Sequence, residues 1–219
     1  MKLTNTQING LQDFIKSNGV KYYDVQMELL DHFIVALETE TELSFGDKTK
    51  LVFKDFGGKE GFRHIVKEKK RVITRQFFKL YFQSFRAFFS LPKIILTLAI
   101  FTVLQFILKN IQLETGMYNL VAQLLNAVLI IQTSFKKGVF EKSYIKGKDF
   151  LMLKTQDYFQ IVIAIPIFLI MLFELNFGKF IPVTFVSICI TLSIIMLLAY
   201  SSIRKHLIKK MIELYPEAV

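Results

Sequence analysis

The chain has no tryptophan, four prolines and a single cysteine among its 219 residues. Cys189 sits inside an apolar run with no partner, which excludes a disulfide framework within the chain and leaves a small buried hydrophobe. No stretch alternates apolar and polar residues over the length of a strand, so the predicted fold class is all-α. There is no phosphate loop, dinucleotide fingerprint, nucleophile elbow, kinase signature or HExxH pair. These absences weigh against an enzyme, and no catalytic residue, metal or cofactor is expected. The opening "MKLTNTQINGLQDF" has no uninterrupted apolar core. A cleavable signal peptide is therefore not expected, and the first true span must act as the insertion signal.

What is present is apolar and basic. Hydrophobic residues make up 53% of the chain, above the usual share for a soluble domain of about 45–50%. The net charge of +10 is unevenly spread. Up to Glu60 there are ten acids and seven lysines, whereas from Gly61 onward eight acids face twenty-one Lys and Arg. The later cations flank apolar runs, a pattern that anionic lipid headgroups select, so a lipid surface is the expected partner and nucleic acid is not.

Four apolar runs approach the roughly 20 residues needed to cross a bilayer. They are 91–108, 118–135, 158–175 and 181–203, within a region of 91–204. The connections Lys109–Met117 and Asn176–Phe180 hold one lysine each, while "KKGVFEKSYIKGKDFLMLK" holds six and "RKHLIKK" follows the last run. With four spans every basic segment falls on one side, as the positive-inside rule requires. The expectation is a multi-pass protein of the bacterial inner membrane with both termini and the 136–154 loop in the cytoplasm, and a cytoplasmic tail at 205–219. Pro166 should kink the third span. The polar residues within the runs are Gln105, Gln123, Asn126, Gln132 and Gln160, with no uncompensated charge. Proton-coupled transport and intramembrane hydrolysis usually require such a charge. Helix-to-helix hydrogen bonds are the simpler role.

Residues 75–90 form a separate element. Phe77, Phe78, Tyr81, Phe82, Phe85, Phe88 and Phe89 project onto one arc of roughly 140° on a helix, with Lys79, Gln83 and Arg86 on the other side. Burying that basic face in lipid would cost about 2.5–3.5 kcal/mol per charge, so this reads as an amphipathic helix lying in the membrane interface. The aromatic stripe can pack on the protein's own spans at the same time. Pro92 fits the first turn of the next helix, making "FSLP" the corner between the two.

Residues 1–74 read as a small cytoplasmic helical domain. Ile8, Leu11, Phe14 and Ile15 share a helical face after Thr4, Asn5 or Thr6, any of which can cap it, and Gly19 can end it. A second helix carries Val25, Leu29, Phe33 and Ala36 or Leu37. A third begins at Ser44 and stops at Gly57 and Gly58. From Lys59 one helix runs toward the aromatic segment. A head of about 60 residues has a small core, expected to lean on its neighbours or on a second copy of the chain. Glu28, Asp31 and His32 form its densest functional group. Glu28 and His32 share a face at i and i+4, but no third ligand is visible, so a structural role is favoured over a metal site or acid–base pair. With Glu38, Glu40 and Glu42 they make a candidate acidic face for a protein partner.

The stretches "LLDHFIVALE" and "LSFGDKTKLVFKDFGGKEGFRHIV" resemble the HAAS-type, or permease prefix, helical domain over roughly Asn9 to Val66, although "DFGGKEGF" stands where the family more often has a Gly-Asp-Pro step. The resemblance implies a cytoplasmic module ahead of bacterial membrane spans, acting in signalling or regulatory coupling through a partner, without catalytic residues. A transport component, with the intramembrane amides lining a path in an oligomer or beside a permease, is the alternative expectation.

Overall fold

The computed structural model describes residues 2–39, 43–111, 148–154, 159–177 and 182–216, together with isolated helical positions between 117 and 131. The described residues are helical, without strands. The chain divides into two units, Met1–Arg75 with Gly147–Thr155, and Gln76–Lys146 with Gln156–Val219.

The first unit, the head, is built from α1 (Asn5–Ser17), α2 (Tyr23–Glu38), α3 (Phe45–Asp55) and the first part of α4 (Gly58–Arg86). Thr4 caps α1 in a full capping box with Gln7, and Ser44 accepts the Asp47 N–H at the start of α3. Each satisfies an N–H that has no partner within its helix. At the other end of α2 the nearly buried Lys48 donates its ammonium to the carbonyls of Leu37 and Thr39, tying off a helix C-terminus with a cation. The turn from α3 to α4 requires glycine. Gly57 and Gly58 take φ of +78° and +61°, and a Cβ on Gly61 would stand 1.6 Å from the Phe56 carbonyl oxygen.

The head core joins Leu11, Ile15, Val25, Leu29, Phe33, Leu37, Val52 and Phe62. Leu37 rather than Ala36 completes the buried face of α2. Phe33 lies 5.3 Å from the stacked ring of Phe56 and 6.0 Å from Phe62, while Phe53 meets Phe62 edge-on at 5.1 Å. Gln26 is buried and donates to the Val20 carbonyl at 2.7 Å, which pins the link between α1 and α2.

In the second unit, the end of α4 passes through a 3-10 turn (Ala87–Phe89) to α5 (Lys93–Ile111). The corner is tied by Thr97, whose hydroxyl donates to the Phe88 carbonyl at 2.8 Å, and by the Lys93 ammonium 5.0 Å above the Phe88 ring. α7 (Phe159–Phe177) and α8 (Val183–Leu214) pack with α5 around Leu108, Ile167, Ile170, Val186, Cys189 and Ile190. Pro166 lies inside α7 without ending it. α5 and α8 are both long and apolar enough to cross a membrane. The 32 residues of α8 reach about 48 Å at 1.5 Å per residue, well beyond 30 Å of hydrocarbon. Its end, expected as a tail from residue 205, stays helical and buries Ile203, Leu207 and Met211 at four-residue spacing. The run expected at 118–135 lies outside the described residues apart from isolated positions.

Candidate functional site

The strongest local constellation is one the sequence did not mark. Residues 148–154, placed by sequence in a basic loop, are part of the head. They form a strap whose last four residues make one helical turn, α6 (Leu151–Lys154). The Tyr23 N–H donates to the Asp149 carbonyl at 2.7 Å. One carboxylate oxygen of Asp24 accepts from the N–H groups of Leu151, at 3.0 Å, and Val25, at 3.1 Å, while the other accepts from Met152 at 3.2 Å. The two strap N–H groups belong to the first turn of α6 and have no partner within it. Burial pushes the Asp24 carboxyl above its ordinary range, outweighing the backbone donors that favour its charged form.

The strap's side chains complete the contact. Leu151 is 1% exposed and belongs to the head core, and Phe150 is buried with its ring 5.5 Å from that of Tyr23. The ammonium of Lys148 stands 4.0 Å over the Tyr23 ring, and that of Lys154 stands 6.0 Å over the Tyr22 ring. Burying Phe150 and Leu151 contributes about 2–3 kcal/mol each, and three strap-to-head hydrogen bonds, one backbone-to-backbone and two to the Asp24 carboxylate, about 1 kcal/mol each. Ordering the strap's backbone costs about 1–2 kcal/mol per residue.

The residues proposed as a partner face separate into different roles. Glu28 pairs with Lys69 of α4 at 2.7 Å, and the His32 ring lies 6.3 Å from Phe56. Asp31 is exposed, and Glu38 accepts the Leu3 N–H at 3.3 Å. Glu40 and Glu42 lie outside the described residues. Glu28, Asp31 and His32 thus do not converge, and no cluster of three or more His, Cys, Asp or Glu able to hold a metal occurs among the described residues. Asp24, Glu28, Asp31 and Val35 instead follow one another along a single stripe of α2 at helical spacing, with the strap at its Asp24 end.

The aromatic stripe is split. Phe77, Tyr81 and Phe88 are buried, with Phe77 edge-on to Tyr200 of α8 at 6.4 Å. Phe78, Phe82 and Phe89 are exposed, Phe82 by 60%. Phe85 lies between the two sets, 6.5 Å from Tyr81 and 5.2 Å from Phe89. Lys79 and Arg86 are exposed beside the outer rings. Of the amides in the apolar runs, Gln105 donates to the Thr184 hydroxyl at 3.0 Å and so ties α5 to α8. Gln123 is exposed, while Asn126, Gln132 and the Gln160 side chain lie outside the described residues. No family model, curated protein or solved structure matches this chain.

Proposed function

We propose that this chain is a four-span protein of the bacterial inner membrane whose cytoplasmic head couples the spans to a protein partner. The observation that carries this reading is the strap: residues 148–154 complete the head, which supports a common side of the membrane for the N-terminal helices and the connection between two apolar runs. If α5 crosses outward, the chain must return before Lys148, and the run at 118–135 is the segment available to do so. α5 supports the crossing, because Ile95, Leu98, Val103 and Phe106 present an exposed apolar surface. The permease-prefix resemblance implies a helical regulatory module, and the helical build of the head supports that reading.

In this reading the outer rings of Phe78, Phe82 and Phe89 enter the acyl boundary while Lys79 and Arg86 meet anionic headgroups. A change in span packing reaches the head along two covalent routes, the continuous α4 and the strap. The acidic stripe of α2 faces the partner. A transport role would need the amides to face a shared cavity, whereas the Gln105 bond to Thr184 supports helix joining. The reading is tested by carbonate washing of membranes followed by capture of the intact chain in mild detergent. The chain should stay in the membrane and bring one protein with it, with capture weakened by Asp31→Lys. Release by carbonate, or capture indifferent to Asp31→Lys, overturns it.

A further inference from the structure

We propose that the groove at the start of α2 is the head's partner-binding site, a site for a short peptide carrying an aromatic–aliphatic pair at the first turn of a helix between two cations. The chain's own segment, Lys148–Lys154, occupies it in cis and competes with the partner. This rests on the adaptor reading above and names the surface it uses.

The recognition chemistry is of the kind that accepts a competing segment. The hydrogen bonds from Tyr23 and to Asp24 engage the strap through its backbone, at the Asp149 carbonyl and the Leu151 and Met152 N–H groups. Any peptide that makes the same turn satisfies them. Selectivity comes from two buried positions, filled by Phe150 and Leu151, and from the Tyr22 and Tyr23 rings, which receive Lys154 and Lys148. Main-chain bonds for affinity combined with pockets for a few side chains is how peptide grooves in general work. The occupant comes from 127 residues away in sequence and is held by one helical turn. It arrives attached to apolar runs, so its local concentration depends on where those runs lie. A shift of the runs that draws the strap out lowers that concentration and opens the groove to a peptide in trans.

The test uses the full chain in nanodiscs and a fluorescent peptide of sequence KDFLMLK, capped at both ends, read by anisotropy. The wild type should bind it weakly because the groove is filled. A chain with Phe150→Ala and Leu151→Ala should bind it saturably and at least tenfold more tightly, and adding Asp24→Ala should remove that gain. If the vacated head loses its fold, the peptide should restore amide protection in α1 and α2. A disulfide-locked chain, Tyr23→Cys with Phe150→Cys in a Cys189→Ser background, should bind peptide less well before reduction than after it. The proposal is overturned if the vacated chain shows neither binding nor restored protection, or if binding ignores Asp24→Ala. Equal partner capture by locked and vacated chains would sink the groove and leave the adaptor reading intact. Peptide binding without any partner captured would do the reverse.

Discussion

The head and the second unit use the same residue types to opposite ends. In the head, Phe33 and Leu11 are almost fully enclosed, and charged side chains such as Asp31 stand outside. In α5 the outward face is itself apolar, with Phe106 70% exposed. A water-solvated helix of that length would carry charge at such positions. The sequence carries the difference as periodicity in the head and as near-continuous hydrophobicity in α5, which is long and apolar enough to cross a membrane. The end of α4 belongs to both regimes, since it encloses Phe77 and Tyr81 while presenting Phe78 and Phe82 outward beside Lys79 and Arg86.

The comparison breaks most sharply at the strap. Leu151→Ala removes a fully enclosed side chain and should destabilise the head by about 3 kcal/mol, visible as earlier amide exchange in α1 and α2 while α5 and α8 are unaffected. Unchanged exchange in the head would mean that the strap is not part of its core. A nearly equal effect is expected from placing a cation on the outer face of α5. Val35 in the head and Phe106 in α5 are both 70% exposed. Val35→Lys should change stability by no more than about 0.5 kcal/mol, whereas Phe106→Lys should cost about 3 kcal/mol in membranes. Thermal melts in nanodiscs compare them directly, and equal small effects would place both residues in water.

A smaller effect separates charge from hydrogen bonding at the strap. Asp24→Ala removes the carboxylate that accepts from two strap N–H groups and should cost about 2 kcal/mol. Asp24→Asn keeps an acceptor and should cost less. Because burial raises the folded-state pKa of Asp24, the folded head binds a proton more readily than the unfolded chain. That contribution is fully present below the ordinary value of 3.8 and is lost as pH rises through the raised one. The wild type should therefore gain stability relative to Asp24→Asn as pH falls through that window, and a flat difference would deny the raised pKa. The smallest effect per residue is at the interface. Lys79→Glu with Arg86→Glu should weaken association with anionic lipid by roughly 1 kcal/mol per lost cation, in a salt-sensitive way. Thermal stability measured in vesicles of anionic and of zwitterionic lipid should separate wild type from variant only in the first.

Much of the head is written in its sequence. Leu11, Ile15, Val25, Leu29 and Phe33 stand at helical spacing, Thr4 and Ser44 stand at cap positions, and Gly57 and Gly58 mark a turn that needs positive φ. The strap is not legible, because its lysines dominate a segment whose apolar stretch is only Phe150 to Leu153. Nothing local marks Asp24, 127 residues earlier, as the acceptor for its backbone. Helical projection placed seven aromatics on one arc, but only packing against Tyr200 and its neighbours decides which edge of that arc is enclosed. Glu28 and His32 share a face by spacing. Their partners, Lys69 and Phe56, come from other helices and are invisible to spacing.

The central claim is that the strap and the head lie on one side of the membrane, with the end of α5 on the other. It is tested most directly by single cysteines in a Cys189→Ser background, at the exposed positions Asp13 in the head, Asp149 in the strap and Asn110 near the end of α5. An impermeant thiol reagent applied to intact cells should label Asn110→Cys alone, with Asp13→Cys and Asp149→Cys labelled together once the membrane is opened. Labelling of Asp149→Cys in intact cells while Asp13→Cys stays protected would contradict the account.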